Sequence, residues 1–253
     1  MKIAVAGGTG AIGRLVVEAV QRRDDTPIVL ARSRGVDLTT GLGLDQAVRD
    51  VEVVIDVSSV NTFGAKKSVA FFEAATRNLL AAGERAGVTH HVALSIVGID
   101  RVDVGYYQGK RRQEELVLSG PVPGSVLRAT QFHEFAAQMI ERGVPGPFVL
   151  VPKSLNQPIA AREVAEALIM MAMDAPVGLA PELAGPEQHR MADLVRRVLR
   201  AKGSHRVVVP VPLPGAAGRA VATGALLPAG PGPRGTQTFD EWLETDALKG
   251  GWL

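Results

Sequence analysis

The 253-residue chain has no cysteine. That excludes a disulfide framework, a cysteine-rich zinc site, an iron–sulfur cluster and a thiol nucleophile. An excess of one charge is also missing: 28 Lys and Arg against 26 Asp and Glu leave +2. Nucleic-acid binding calls for a clustered basic face, so no nucleic-acid partner is expected. Long apolar runs are absent too. The strongly apolar stretch Ala167–Met173 is far too short to span a bilayer. Met1–Gly8 carries one charge and a brief apolar run ending in glycines, unlike a secretory signal. The expectation is a cytoplasmic protein without a membrane partner. What is present is a globular composition, 46% hydrophobic and 21% charged. A chain of this length can bury roughly 70–75% of its unfolded surface.

Strand-like and helix-like segments alternate through the first half. Ile3–Ala6, Pro27–Ala31, Val51–Val57, His91–Ser95 and Ser125–Ala129 are short apolar runs; Glu52 and Asp56 interrupt the third. Ile12, Val16, Ala19 and Val20 recur at helical spacing, and a longer helical stretch spans 67–85, ending at Gly87. This alternation predicts a Rossmann-type α/β fold, a doubly wound parallel sheet with helices on both faces. Near-continuous apolar strands suit a sheet covered on both sides. Helices are predicted over 162–173 and 191–201. The stretch 210–235 is rich in Pro and Gly and reads either as a linker or as proline-rich turns. Helix formers at 216–227 and the aromatics of Phe239-Asp240-Glu241-Trp242-Leu243 favour a small packed C-terminal lobe. The expected division is 1–130 for nucleotide binding and 131–253 for a substrate-binding lobe, packed as one unit.

The sharpest local signal is Gly7-Gly8-Thr9-Gly10-Ala11-Ile12-Gly13, after one strand and opening a helix. Gly7 permits the tight turn, Gly10 lets backbone N–H groups approach a pyrophosphate, and Gly13 lets the helix lie close on the strand. The pyrophosphate would meet the free N–H groups of the helix N-terminus. The end of the second strand selects the cofactor. Arg32-Ser33-Arg34 offers two guanidiniums and a hydroxyl to a 2′-phosphate, which favours NADPH (NADP) over NADH. Asp37 is the competing candidate, as a ribose ligand.

The spacing Gly7-x-x-Gly10-x-x-Gly13 with Thr9 resembles the atypical short-chain dehydrogenase/reductases, and more narrowly their NmrA-like NAD(P)H-binding branch. The likeness continues through Gly35–Gly41, Leu94–Asp100, Tyr106-Tyr107-Gln108-Gly109-Lys110, Leu127–Phe132, Glu182–Glu187 and Phe239–Leu243. The resemblance implies that Asp37 and Leu38 flank the adenine, that Ser58 and Ser59 lie beside the cofactor ribose, and that the C-terminal lobe covers the nicotinamide. The connection from Arg32 to Asp37 is very short, so the third strand of such folds must be reduced.

Tyr106 and Lys110 are one helical turn apart. In the short-chain reductases such a Tyr-x-x-x-Lys pair donates a proton to a substrate oxygen, the ammonium lowers the phenol pKa, and the lysine holds the nicotinamide ribose. Tyr107 is an alternative inward-facing tyrosine. Ser95 ends a strand at the carboxyl edge of the sheet, where it can hydrogen-bond a substrate carbonyl. Phe132 and His133 follow the next strand and are candidates to line the substrate pocket. Glu134 beside His133 invites a zinc reading, but Ala137 breaks the metalloprotease pattern, so no metal is expected. His90 and His91 open a strand and read as surface residues, and Lys110-Arg111-Arg112 as a solvated face. The combined expectation is an oxidoreductase passing hydride from NADPH to a small apolar carbonyl, quinone or conjugated compound, working as a monomer or homodimer. A cofactor-sensing regulator without turnover and an isomerase or cyclase are the alternatives.

Overall fold

The computed structural model describes residues 1–141, 143 and 145–245. Strand β1 (Lys2–Ala6) is apolar to its end and stops at the glycines; helix α1 (Ala11–Gln21) then buries Leu15, Val16, Ala19 and Val20 at helical spacing. Next come β2 (Thr26–Leu30), a 3-10 turn at Arg32–Arg34, the short α2 (Leu44–Ala47) and β3 (Val53–Asp56). Helix α3 (Ala65–Ala86) ends on Gly87, and β4 (His90–Ile96), α4 (Gly105–Ser119) and β5 (Gly124–Ala129) follow. The sheet is parallel in the order β2-β1-β3-β4-β5, with β8 (Gly178–Leu179) at its far edge. Order reverses between β1 and β3, and the crevice at such a switch point is where ligands bind. No strand forms between Arg32 and Gly43 among the described residues. The reduced third strand is therefore replaced by the 3-10 turn, a loop and α2.

The predicted Rossmann-type sheet is present. Helix α6 (Ala161–Met173) packs on α1 over one face, while α3 and α4 lie together on the other. Chain beyond residue 130 thus supplies both α6 and the edge strand β8. The remaining elements are α5 (Glu134–Glu141), β6 (Phe148–Pro152), β7 (Leu155–Asn156), β9 (His189–Arg190), α7 (Met191–Ala201), β10 (Val207–Val211), α8 (Gly215–Ala222) and α9 (Phe239–Thr245). β6 pairs with β10 and β7 with β9. Phe239 and Trp242, each 1% exposed, centre a separate core with Val195, Val198 and Met191. The middle of the Pro/Gly-rich stretch is packed, while 212–216 and 229–234 are exposed. Val221 and Leu226 cluster with Val102, and Arg101 donates to the Leu227 carbonyl at 2.5 Å. Among the described residues, no helix is long and apolar enough to cross a membrane.

Two surface expectations are corrected. His90 and His91 are 3% and 1% exposed, because β4 lies between β3 and β5 and is covered on both faces. Their imidazole pKa values are lowered from 6.5 by burial, as is that of His133. Below 6.5 the unfolded chain therefore binds protons that the folded chain refuses. Stability rises with pH through that window and is lost as pH falls. Urea unfolding between pH 5 and pH 8 is expected to show the midpoint falling on the acid side, and His91→Gln to flatten the slope.

Candidate active site

The glycine turn closes at the carboxyl end of β1. Gly7 has φ +78°, and a Cβ there would lie 2.9 Å from Ser58 Cα. At Gly13 a Cβ would fall inside the Gly7 carbonyl oxygen and 2.6 Å from Gly8 Cα. The first turn of α1 is thus pressed onto the loop. Gly10 is the helix N-cap, and it and Thr9 are exposed, with Ala11 and Ile12 half-buried behind them. The result is an open cradle of backbone N–H groups at a helix N-terminus, suited to a pyrophosphate. The buried Ser58 hydroxyl beside this cradle has no partner in the protein. A buried hydroxyl left so is costly unless something else bonds it. Cradle and hydroxyl together fit a dinucleotide.

Arg32, Ser33 and Arg34 are exposed on the 3-10 turn directly after β2. Asp37 is engaged elsewhere. Its Oδ1 accepts from Thr39 Oγ1 at 2.7 Å, Thr39 N at 2.8 Å and Thr40 N at 3.3 Å. These bonds hold its carboxyl below the usual range, and that oxygen is committed to its own turn. Leu38 is buried, and its carbonyl accepts from Asn78 Nδ2 at 2.9 Å.

Helix α4 meets the loop after β3. The hydroxyls of Tyr106 and Ser59 are 2.9 Å apart. Phe72 of α3 stacks edge-on against Tyr106 at 5.6 Å, and Lys110 Nζ lies 4.8 Å from the centre of the same ring. Tyr107 turns the other way, into the cluster of Val102, Val221 and Leu226, where burial pushes its phenol up to about 12. Of the two tyrosines, Tyr106 is the one whose hydroxyl reaches the loop after β3.

The lowered tyrosine pKa expected from Lys110 does not occur. Burial pushes the Tyr106 phenol up; the Ser59 hydroxyl opposes this and the Asp56 carboxylate adds to it. The reason lies in where the ammonium goes. Lys110, 4% exposed, donates to the Leu94 carbonyl at 2.5 Å and to Gln113 Oε1. Burial lowers its own pKa to about 8, against the pull of Asp56 and Glu114. Lys110 is therefore no part of a solvated face; Arg111 and Arg112 carry that role, paired with Asp103 and with Glu73 and Glu115.

Ser95 is buried with its hydroxyl unpartnered. His133 is enclosed instead of lining an opening. It is 1% exposed, its Nε2 faces the Gln237 carbonyl at 3.1 Å, and Phe239 and Trp242 wall its ring. Phe132 is half-buried and bridges to Ile159. Sequence reasoning missed three residues. Gln131, just past β5, has both amide atoms buried without a partner. Asp56 and Gln113 join through a bond of 2.8 Å from Gln113 Nε2 to Asp56 Oδ2.

No protein-family model matches the chain, and no curated protein sequence does. Solved structures do. MoeE5 in complex with UDP-glucuronic acid and NAD superposes with a TM-score of 0.75 over 98% of each chain, at 16% identity. A short-chain dehydrogenase/reductase superfamily protein from Agrobacterium tumefaciens with bound NAD gives 0.71 at 18% identity, over 98% of this chain and 96% of that one. The dTDP-4-dehydrorhamnose reductase of Bacillus anthracis in complex with NADP gives 0.70 at 14%, over 83% and 84%. This chain has their fold. At these identities the likeness reaches the fold alone, and the cofactors named are those of the neighbours.

Proposed function

We propose that this chain is an NADPH-dependent oxidoreductase of the atypical short-chain type, NmrA-like in its sequence segments. Its substrate would be a small apolar carbonyl, quinone or conjugated compound. The observation that carries this reading is the meeting of the glycine cradle, the Ser58–Ser59 loop and the Tyr106 hydroxyl at one sheet edge. When bound, the reduced dinucleotide supplies the hydride. The chain's residues do the rest. The cradle binds diphosphate through backbone N–H groups. Tyr106 Oη holds the proton that a substrate oxygen needs, and its raised pKa keeps it protonated at neutral pH. Lys110 has one N–H beyond its two internal bonds to offer a ribose hydroxyl. Ser95 Oγ and the Gln131 amide have unfilled bonding capacity to orient a polar substrate group. Phe132 gives an apolar wall. The test is NADPH oxidation across a panel of carbonyls and quinones.

A second reading has one observation in its favour: Lys110 spends two of its three protons inside the protein. A chain that binds NADPH yet oxidises it with no member of the panel is a cofactor sensor.

NADPH is expected to bind more tightly than NADH, because Arg32 and Arg34 are exposed on the turn directly after β2. Each charge-assisted contact contributes roughly 1.5–3 kcal/mol. Removing one by Arg32→Ala or Arg34→Ala weakens NADPH binding by about 10–150-fold and leaves NADH nearly unchanged. Isothermal titration with both cofactors reads this directly. Equal affinities in the unmutated chain overturn the preference.

A further inference from the structure

We propose that Asp56 and Gln113 are a positioning pair for Lys110, holding its ammonium and tying it to the loop beneath the glycine cradle. This rests on the reading of Lys110 as the lysine that serves the cofactor.

The geometry is a closed chain. Asp56, fully buried at the end of β3, accepts from Ser58 N at 2.9 Å through Oδ1 and from Gln113 Nε2 at 2.8 Å through Oδ2. An ionised carboxylate only accepts, so it fixes which way the Gln113 amide faces. The amide oxygen is thereby turned to Lys110, whose Nζ donates to it. One carboxylate thus sets both Ser58, against which Gly7 is packed, and the acceptor that holds the lysine.

Charge balance supports the same pairing. A buried carboxylate without a counter-charge is strongly unfavourable. Glu114 is already matched, because Arg128 grips both its oxygens at 2.9 and 2.6 Å and also meets Asp100. His91 on β4, which also feels Asp56, is kept neutral by burial. Tyr106, one turn up α4, stays a neutral phenol. On α3, Phe72 and Ser68, which contact Tyr106 and Lys110, are uncharged. Among the described residues, Lys110 is the cation whose charge bears on Asp56, and Gln113 is the link between them.

The test needs no cofactor. Lys110 has an ordinary pKa of 10.5 and about 8 in the fold. Between those values the unfolded chain holds a proton that the fold does not, so the Lys110 contribution to stability rises with pH there. Urea unfolding is measured from pH 6 to pH 10 for wild type, Asp56→Asn, and each combined with Lys110→Met. The difference between each parent and its Lys110→Met partner isolates the lysine. In wild type it is expected to change slope near pH 8, and in Asp56→Asn about one pH unit lower. If Asp56→Asn does not fold, Gln113→Met, which removes the acceptor at similar volume, is expected to show the same acid-ward shift. An unchanged midpoint in the variant that folds overturns the proposal. Failure of wild type to bind NADPH in a separate titration is instead the failure of the oxidoreductase reading.

Discussion

Tyr106→Phe is expected to leave NADPH binding intact and cut turnover by about 10²–10⁴-fold, the usual worth of a positioned general acid. The change removes one oxygen. Phe72 still packs edge-on against the ring, and the Ser68 hydroxyl still donates to the backbone carbonyl of residue 106 at 2.9 Å. What is lost is the hydroxyl 2.9 Å from Ser59 Oγ, on the loop after β3. Hydride addition to a carbonyl leaves an alkoxide that must take a proton, and the Tyr106 phenol is fully protonated at neutral pH. Lys110→Ala behaves differently. It strips the Leu94 carbonyl and Gln113 of their donor and leaves Asp56 buried without a counter-charge. Binding and turnover are therefore both expected to fall. Stopped-flow oxidation of NADPH beside cofactor titration separates the two variants. Normal turnover in Tyr106→Phe assigns the proton to water or to Ser95.

Much of the scaffold was legible because it rests on short-range patterns. The glycines report a turn that a Cβ would obstruct, and the apolar runs report strands covered on both sides. The Tyr106/Tyr107 choice was not legible. Adjacent helical residues point about 100° apart, and only the positions of the Ser59 loop and α8 decide which faces the crevice. His90 and His91 misled for the opposite reason. They are polar and start a strand, yet burial follows from β4 being an inner strand, which is a property of the sheet order. The Asp56–Gln113 bond links residues 57 apart in sequence, so no local pattern reports it. Two signals pointed at it all the same. Asp56 is a charge inside an otherwise apolar strand, and Gln113 falls on the face of Tyr106 and Lys110, at i+7 and i+3. His133 shows the limit of arguing from strand ends. It follows β5 as expected, but the C-terminal aromatics close over it.

Gly13→Ala is expected to abolish measurable NADPH binding, a loss of at least about 100-fold, and to lower thermal stability as well. Two effects compete. Alanine is the better helix former by roughly 1 kcal/mol, and position 13 lies in the first turns of α1. Against that, its Cβ would overlap the Gly7 carbonyl oxygen and sit 2.6 Å from Gly8 Cα and 2.8 Å from Gly7 C. Every one of these atoms is backbone, so no side chain can swing aside. Overpacking of this kind costs about 1–3 kcal/mol or more, and the steric cost wins. Relief requires α1 to lift from β1 or the glycine turn to open. Either motion moves the N–H groups that converge at the helix N-terminus. A weakening of 100-fold corresponds to about 2.7 kcal/mol, within reach of losing two such bonds to a charged phosphate. Gly230→Ala is the matched control, since nothing lies within 4 Å of its Cβ position, and it is expected to change stability by less than about 0.5 kcal/mol. Melting curves and NADPH titration on the two variants decide the matter: if Gly13→Ala binds NADPH as wild type does, the cradle is not where the diphosphate lies.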